Sequence, residues 1–370
     1  MTADFADIVK AFRVEGILDS VTPCGSGHVN DTYIVACRQN GQHRRYTLQR
    51  INHSIFTHPQ QLMDNVLRVT QHIRHKLQQE QAADIERRVL TVIPTHSGGS
   101  CCQDCHGCYW RMYQYIDEAQ SRDYLSSPDM AFEAARMFGR FQRLLVDLPE
   151  PKLAETIPDF HNTPKRLADF IRALESDSHN RAAEAKEEIR FVLDHAGMCD
   201  HLLRQVRQGL IPERITHNDT KISNVLFDSR TGQGICVIDL DTVMPGLSLY
   251  DFGDMVRTAA CPAAEDEENL SKIRLERTFF AALVRGYISQ TADFLTPAEK
   301  QHLVFAGKLI TFEQMIRFLG DYLNGDSYYK ISRPGHNLIR ARTQMKLVQS
   351  IQEQEEALHA CVNSLLETVQ

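Results

Sequence analysis

The segment Ile215-Thr216-His217-Asn218-Asp219-Thr220-Lys221-Ile222-Ser223-Asn224, followed by Val237-Ile238-Asp239-Leu240-Asp241, gathers the side chains that phosphoryl transfer demands. Such a reaction needs a carboxylate to take the proton of the attacking hydroxyl, and an amide and a second carboxylate to hold magnesium on the nucleotide phosphates. His217, Asp219 and Asn224 follow the H-x-D-x-x-x-x-N spacing of kinase loops, with Asp219 as base and Asn224 as a metal oxygen. Asp239 closes an apolar strand 20 residues after Asp219, where the metal carboxylate is expected. Asp and Asn also end turns in ordinary loops, but that alternative explains neither the spacing nor the strand context. Asp228 is read as such a turn residue. Asp241, two residues past Asp239 on an extended segment, either assists a second magnesium or faces solvent.

Asp251-Phe252-Gly253 spells a familiar metal-binding triplet 32 residues past Asp219, too far for the second half of a compact hairpin. The expectation is instead that Asp251 caps a helix beginning near Phe252 and ties the catalytic loop to it. The 11 residues between Asp239 and Asp251 leave no room for a peptide-positioning activation segment, which argues against a protein kinase.

The elements that must position these groups fall into two regions. Leu18 to Pro23, Thr32 to Cys37 and Arg45 to Ile51 read as strands, with Asn40-Gly41 as a hairpin turn. Gln60 to Leu77 reads as an amphipathic helix, and Val89 to Ile93 and Tyr109 to Tyr115 return to strand character. Ser127-Pro128 starts a helix with an apolar stripe from Ala131 to Leu148. Helices are expected over 164–176, 180–208, 265–290, 296–323 and 336–368, with Glu265 to Glu268 as a solvated helix start. The fold class is therefore α+β, with a small antiparallel β lobe over 1–116 and a larger, mostly helical lobe over 117–370.

With 370 residues, 42% of them apolar, the chain can bury a large core. A net charge of -7 argues against a nucleic-acid partner, and no apolar run is long enough for a membrane span. Acidic residues precede any apolar run at the N-terminus, so a soluble cytoplasmic protein with a small-molecule partner is expected. Ten cysteines are too sparse for a disulfide scaffold. Cys102, Cys105 and Cys108, with His106 beside them, either hold zinc or decorate a hairpin tip; only one ligand knuckle is present.

At the catalytic segment the chain resembles the aminoglycoside phosphotransferase and choline kinase superfamily, and within it the N-acetylhexosamine 1-kinases. Phe160-His161-Asn162-Thr163-Pro164-Lys165-Arg166, Leu48-Gln49-Arg50-Ile51-Asn52 and Thr242-Val243-Met244-Pro245-Gly246 share that resemblance. It implies a two-lobed protein-kinase-like fold using ATP and Mg2+ to phosphorylate the anomeric hydroxyl of N-acetylglucosamine or N-acetylgalactosamine. Kinases of other small hydroxyl compounds, such as amino alcohols or aminoglycosides, and an inactive nucleotide-binding regulator are the alternatives.

Under that resemblance, Gly25, Ser26, Gly27 and Asn30 form the phosphate loop, with Asn30 in place of a third glycine. Arg50 stands near the position of the usual strand lysine, and Asp64 on the amphipathic helix either pairs with it or makes an ordinary surface contact. Adenine would lie against the backbone of Gln114 to Ile116, including Tyr115, with Tyr113 as back wall. His28, Arg317 and Tyr328, beside Asp219, are the expected sugar contacts. For Arg317 the plainer alternative is a pair with Glu313 on one helix face, and for Tyr328 half-burial.

Overall fold

Alternating apolar residues in the first third of the chain build a sheet, and one-sided apolar stripes thereafter build helices. The computed structural model describes residues 5–24, 29–39 and 41–368. Helix α1 (Phe5–Lys10) precedes strands β1 (Ile17–Pro23), β2 (Asp31–Gln39) and β3 (Gln42–Ile51), then helices α2 (Pro59–Gln79) and α3 (Ile85–Arg88). Strands β4 (Cys102–Gln103) and β5 (Tyr109–Gln114) complete an antiparallel sheet in the order β1-β2-β3-β5-β4. Asn40 of the expected turn lies outside the described residues, but β2 and β3 pair down to Gln39 opposite Gln42. Val89 to Ile93 forms only a bridge, Val92 opposite Tyr113, because β4 takes the outer edge of β5 nearer its start.

The register sorts the sheet into two faces. Val35, Cys37, Tyr46, Leu48, Trp110 and Met112 form a small core with Ile8, Val9 and Phe12 from the α1 region. Residues at the other parity, among them Thr32, Gln49, Arg111 and Tyr113, turn toward α2 and the helices beyond. Helix α2 sends Leu62, Met63, Val66, Val69 and Ile73 into the same core as those helices.

After the short strand β6 (Ala119–Gln120) comes α4 (Pro128–Leu145), capped by Ser127, whose side chain accepts from Met130 N. Helix α5 (Thr163–Ser176) is likewise capped by Asn162, with Pro164 in its first turn. The expected helix over 180–208 is broken into α6 (Lys186–His195), α7 (His201–Arg207) and two short 3-10 turns. Strands β7 (Arg214–Thr216), β8 (Val225–Asp228), β9 (Gly234–Val237) and β10 (Met244–Gly246) carry the catalytic segment, with β7 paired to β10 and β8 lying between β6 and β9. Helices α8 (Ser248–Ala259), α9 (Arg277–Thr291), α10 (Pro297–Gln301), α11 (Leu303–Leu323), α12 (His336–Glu353) and α13 (Glu355–Glu367) follow.

Glu265 to Glu268 does not start a helix: α9 begins only at Arg277. Glu265 pairs with Arg257 and Arg340, Asp266 with Arg333 and His336, and Glu268 with Arg333. Fixed cations thus hold this stretch in an irregular path. No helix among the described residues is long and apolar enough to cross a membrane.

Candidate active site

Strand β7 delivers the chain to the catalytic loop and is itself anchored from below. The Arg214 guanidinium forks onto the Glu299 carboxylate with two bonds of 2.9 Å. That carboxylate also accepts from Thr296 N in the capping box of α10, so the helix start and the strand share one buried anion.

Beyond β7 the backbone turns sharply, with Asn218 at φ +65° and Asp239 at φ +60°, a region Asn and Asp enter more readily than other side chains. Side chains pin the turn. Asn218 Nδ2 donates to Thr242 O at 2.9 Å, Thr242 Oγ1 to His217 O at 2.7 Å, and Thr220 Oγ1 to Asp251 O at 2.6 Å. His217 Nε2 donates to Ile238 O at 2.9 Å while Nδ1 accepts from Asp219 N at 3.3 Å, which fixes the ring tautomer and joins Asp219 to the Asp239 strand.

Asp219, Asn224 and Asp239 are brought together as their spacing predicts. Asn224 Nδ2 donates to Asp219 O at 2.7 Å and to Asp219 Oδ2 at 3.1 Å, so its carbonyl oxygen points elsewhere. Ile238 N donates to Asn224 O at 2.9 Å, tying the two candidate metal residues through the backbone. Lys221, to which sequence reasoning gives no role, places Nζ 3.0 Å from Asp219 Oδ2. Burial alone would raise the Asp219 carboxyl, but the Lys221 charge holds it below the usual carboxylate range. Asp239 goes the other way: burial, with the charges of Asp241 and Asp219 beside it, pushes its carboxyl up to about 6. Among the described residues its oxygens receive no hydrogen bond.

Asp241 faces neither solvent nor an open cleft. Its Oδ1 pairs with the buried Arg111 guanidinium and its Oδ2 accepts from Asn30 Nδ2 at 2.7 Å. Each oxygen thus has a partner, and Asp241 anchors a link to the sheet. Asn30, expected at the phosphates, is buried in that link, its Oδ1 accepting from Asn52 N at 3.0 Å. Gly25, Ser26, Gly27 and His28 lie outside the described residues.

The expected Arg50–Asp64 pair does not form. Arg50 stands opposite Asp31 and Trp110 on the sheet face away from α2, and it pairs with Asp31. Asp64 is exposed and accepts only from Gln60, at 3.2 Å, among the described residues. Strand parity is the reason: adjacent residues point to opposite faces, and the residue turned toward α2 is Gln49. Its cross-strand neighbour Arg111 was legible as a candidate, because it lies two residues before Tyr113 and so shares the face assigned to the back wall.

At the connector, Tyr115 N donates to Arg45 O at 3.2 Å and Gln114 N to Thr91 O at 2.8 Å. The Ile116 N–H has no acceptor among the described residues, and Ile116 is buried. Tyr113 is buried behind it.

Arg317 does not pair with Glu313. Glu313 accepts from His161 Nδ1 at 2.8 Å and from Thr163 Oγ1 at 2.6 Å, while His161 Nε2 donates to Asn218 O at 2.9 Å. A ring donating from both nitrogens is an imidazolium: burial would lower its pKa, yet Glu313 holds it above the ordinary histidine value. Arg317 instead lies 5.3 Å over the Phe160 ring and 5.7 Å over Tyr329. Tyr328 is exposed, beside Tyr329, on a loop held by Asp321, whose carboxylate accepts from Ser327 N, Tyr328 N and Tyr329 N at 2.8–3.0 Å.

Asp251 sits in the first turn of α8, where Leu247 is the N-cap, so it is not the cap. It does tie down the catalytic loop: Oδ1 accepts from Asn218 N at 2.7 Å, and Oδ2 from His217 N at 3.0 Å and Gln142 Nε2 at 2.6 Å. Phe252 is fully buried, and a Cβ on Gly253 would collide with the Ala306 carbonyl of α11. The triplet is therefore a packing device. Asp228 closes its turn as expected, accepting from Arg230 N and Thr231 N.

Among the described residues no three His, Cys, Asp or Glu side chains converge as a metal cage. In the cysteine-rich hairpin, Asp104 organises the turn, accepting from His106 N, Cys108 N and Trp110 Nε1. Burial pushes the Cys102 thiol up to about 11.

Solved structures with this fold include an aminoglycoside phosphotransferase from Alicyclobacillus acidocaldarius subsp. acidocaldarius DSM 446, with TM-score 0.57, 12% identity, and 98% of this chain and 96% of that chain covered. Spectinomycin phosphotransferase APH(9)-Ia, solved with ADP and spectinomycin, superposes with TM-score 0.59 at 10% identity, covering 94% and 98%. A choline kinase from Cryptosporidium parvum Iowa II does so with TM-score 0.53 at 15% identity, covering 96% and 94%. The two-part protein-kinase-like fold expected from the sequence is thus the observed one. Residues 20–290, more than half of the chain, match the sequence model of the phosphotransferase enzyme family, and the chain belongs to that family.

Proposed function

We propose that the protein transfers the γ-phosphoryl group of ATP to a hydroxyl of a small molecule, and that the acceptor is the anomeric hydroxyl of an N-acetylhexosamine. The observation that carries the transfer chemistry is the convergence of an ionised Asp219, the Asn224 carbonyl oxygen and an Asp239 carboxylate that receives no hydrogen bond from the described residues.

Asn224 and Asp239 fit a magnesium ion. They offer hard oxygen donors, and the Asp239 carboxylate accepts no hydrogen bond among the described residues. Two protein ligands suit an ion that takes its remaining oxygens from phosphates and water. When bound, the ion would neutralise phosphate charge as it builds up. Asp219 accepts the acceptor's proton at Oδ1 or Oδ2 and orients the attacking oxygen, with Lys221 keeping it anionic. The Ile116 N–H is free to meet an adenine nitrogen against Tyr113, and 1–116 acts as the nucleotide-binding part.

Two features support a neutral sugar. The Phe160–Arg317–Tyr329 stack supplies ring faces and guanidinium donors, and His161 joins it to the catalytic loop at Asn218 O. The Arg317 guanidinium, stacked on rings and not ion-paired among the described residues, would repel a cationic amino alcohol or aminoglycoside. The resemblance to N-acetylhexosamine 1-kinases points the same way.

The test is a magnesium- and ATP-dependent assay with N-acetylglucosamine, N-acetylgalactosamine, choline and an aminoglycoside, with 31P NMR to locate the phosphate. Turnover of choline or the aminoglycoside without either hexosamine would remove the sugar assignment. Turnover of Asp219→Ala equal to that of the unaltered protein would remove the mechanism.

A further inference from the structure

In the usual arrangement of a kinase cleft, a cation on the third strand meets an acidic residue on the adjoining helix. Neither half is present here at its place. The cleft-facing residue of β3 is Gln49, an uncharged amide, and the α2 residue turned toward it is Met63, whose Sδ lies 3.8 Å from Arg111 Nη1. The charge has moved one strand over. Arg111 stands opposite Gln49 on β5 and donates from Nε to Gln49 Oε1 at 3.0 Å, while Gln49 Nε2 donates on to Thr32 Oγ1 at 3.0 Å. Its guanidinium is wholly buried and pairs with Asp241, 130 residues away on the segment that carries Asp239. Asn30, at the end of the loop between β1 and β2, holds the other oxygen of the same carboxylate.

We propose that Arg111 is the positioning residue that supplies the cleft's missing strand cation, and that its buried pair with Asp241 joins the sheet to the phosphate end of the nucleotide site. The inference rests on the nucleotide-dependent reading above. A guanidinium suits this duty because it keeps its charge when buried and its fork serves Gln49 and Asp241 at once. Tying the cation to the Asp239 segment, and not to α2, makes the electrostatics of the phosphate end depend on how the sheet meets that segment. Among the described residues no ion pair joins α2 to the sheet.

Calorimetric titration of ADP and of adenosine, each with and without magnesium, tests this in the unaltered protein and in Arg111→Lys, Arg111→Met and Arg50→Met. Arg111→Met should lose about tenfold or more of its ADP affinity and keep its adenosine affinity within about twofold, since only phosphates feel the charge. Arg111→Lys should fall between, and Arg50→Met should bind ADP like the unaltered protein. A general loss of structure would weaken both ligands together. If Arg111→Met does not fold, Arg111→Lys and Asp241→Asn are read by the same ADP-to-adenosine ratio. An unchanged ratio in the Arg111 variants, or an equal loss in Arg50→Met, overturns the inference while leaving the catalytic reading intact. Failure of the unaltered protein to bind ADP overturns both.

Discussion

Replacing Asp251 by Asn exchanges one oxygen of a buried carboxylate for an amide nitrogen and should unsettle the catalytic loop without changing its volume. The carboxylate accepts three hydrogen bonds, two of them from the loop backbone at His217 and Asn218. If the amide oxygen keeps the His217 and Gln142 bonds, its nitrogen faces the Asn218 N–H, and two donors confront each other. The lost charge-assisted bond costs about 2 kcal/mol, the orphaned N–H about 2, and weakening of the other two about 1. Against that, burial already pushes the Asp251 carboxyl up, and removing its charge returns about 2 kcal/mol of desolvation. The net destabilisation is about 3 kcal/mol. Urea unfolding should show it as a lower midpoint at unchanged slope. The Asn218 turn feeds directly into Asp219, so kcat should fall about tenfold to a hundredfold. A loss below about 1 kcal/mol with unaltered kcat would refute the assignment of Asp251 as the loop's anchor.

Gly253→Ala should cost about 1–3 kcal/mol by forcing α8 from α11, since the new Cβ would press on Ala306 O and lie 2.7 Å from Ile310 Cγ1; a neutral effect in thermal unfolding would show that the helices part freely. For the His161–Glu313 pair, a raised histidine pKa gives stability that is complete below about 6.5 and is lost as pH climbs through the folded value. The stability gap between the unaltered protein and Glu313→Gln should therefore narrow as the pH rises above about 6.5, and a widening gap in urea unfolding would contradict the imidazolium. Asp321→Ala frees three backbone donors of the loop bearing Tyr328 and Tyr329, so the acceptor KM should rise about tenfold with the ATP KM unchanged. Equal changes in both would mean that the loop does not serve the acceptor.

The candidate catalytic segment was legible because its parts are local. Asp219 and Asn224 are five residues apart on one loop, and Asp239 ends the hairpin that follows, so spacing and strand context place all three. The helix start at Ser127-Pro128, with strong local chemistry, was legible for the same reason. Ion pairs made at a distance were not: the acidic run at Glu265 meets Arg333 and Arg340 from a far stretch of chain, and Glu313 leaves the nearby Arg317 for His161 on another element.

Arg50 shows where the division falls. The sequence by itself determined that β3 is a strand and that a cation lies near its end, because alternation and residue type are properties of neighbours in the chain. Which of Gln49 and Arg50 faces α2 is a matter of parity in a paired sheet, set by which face Leu48 and Trp110 bury against α1. Only the tertiary structure turned Arg50 to Asp31, brought Arg111 across from β5, and closed its charge on Asp241. A buried cation is tolerable only where a counter-charge from a distant segment arrives to meet it.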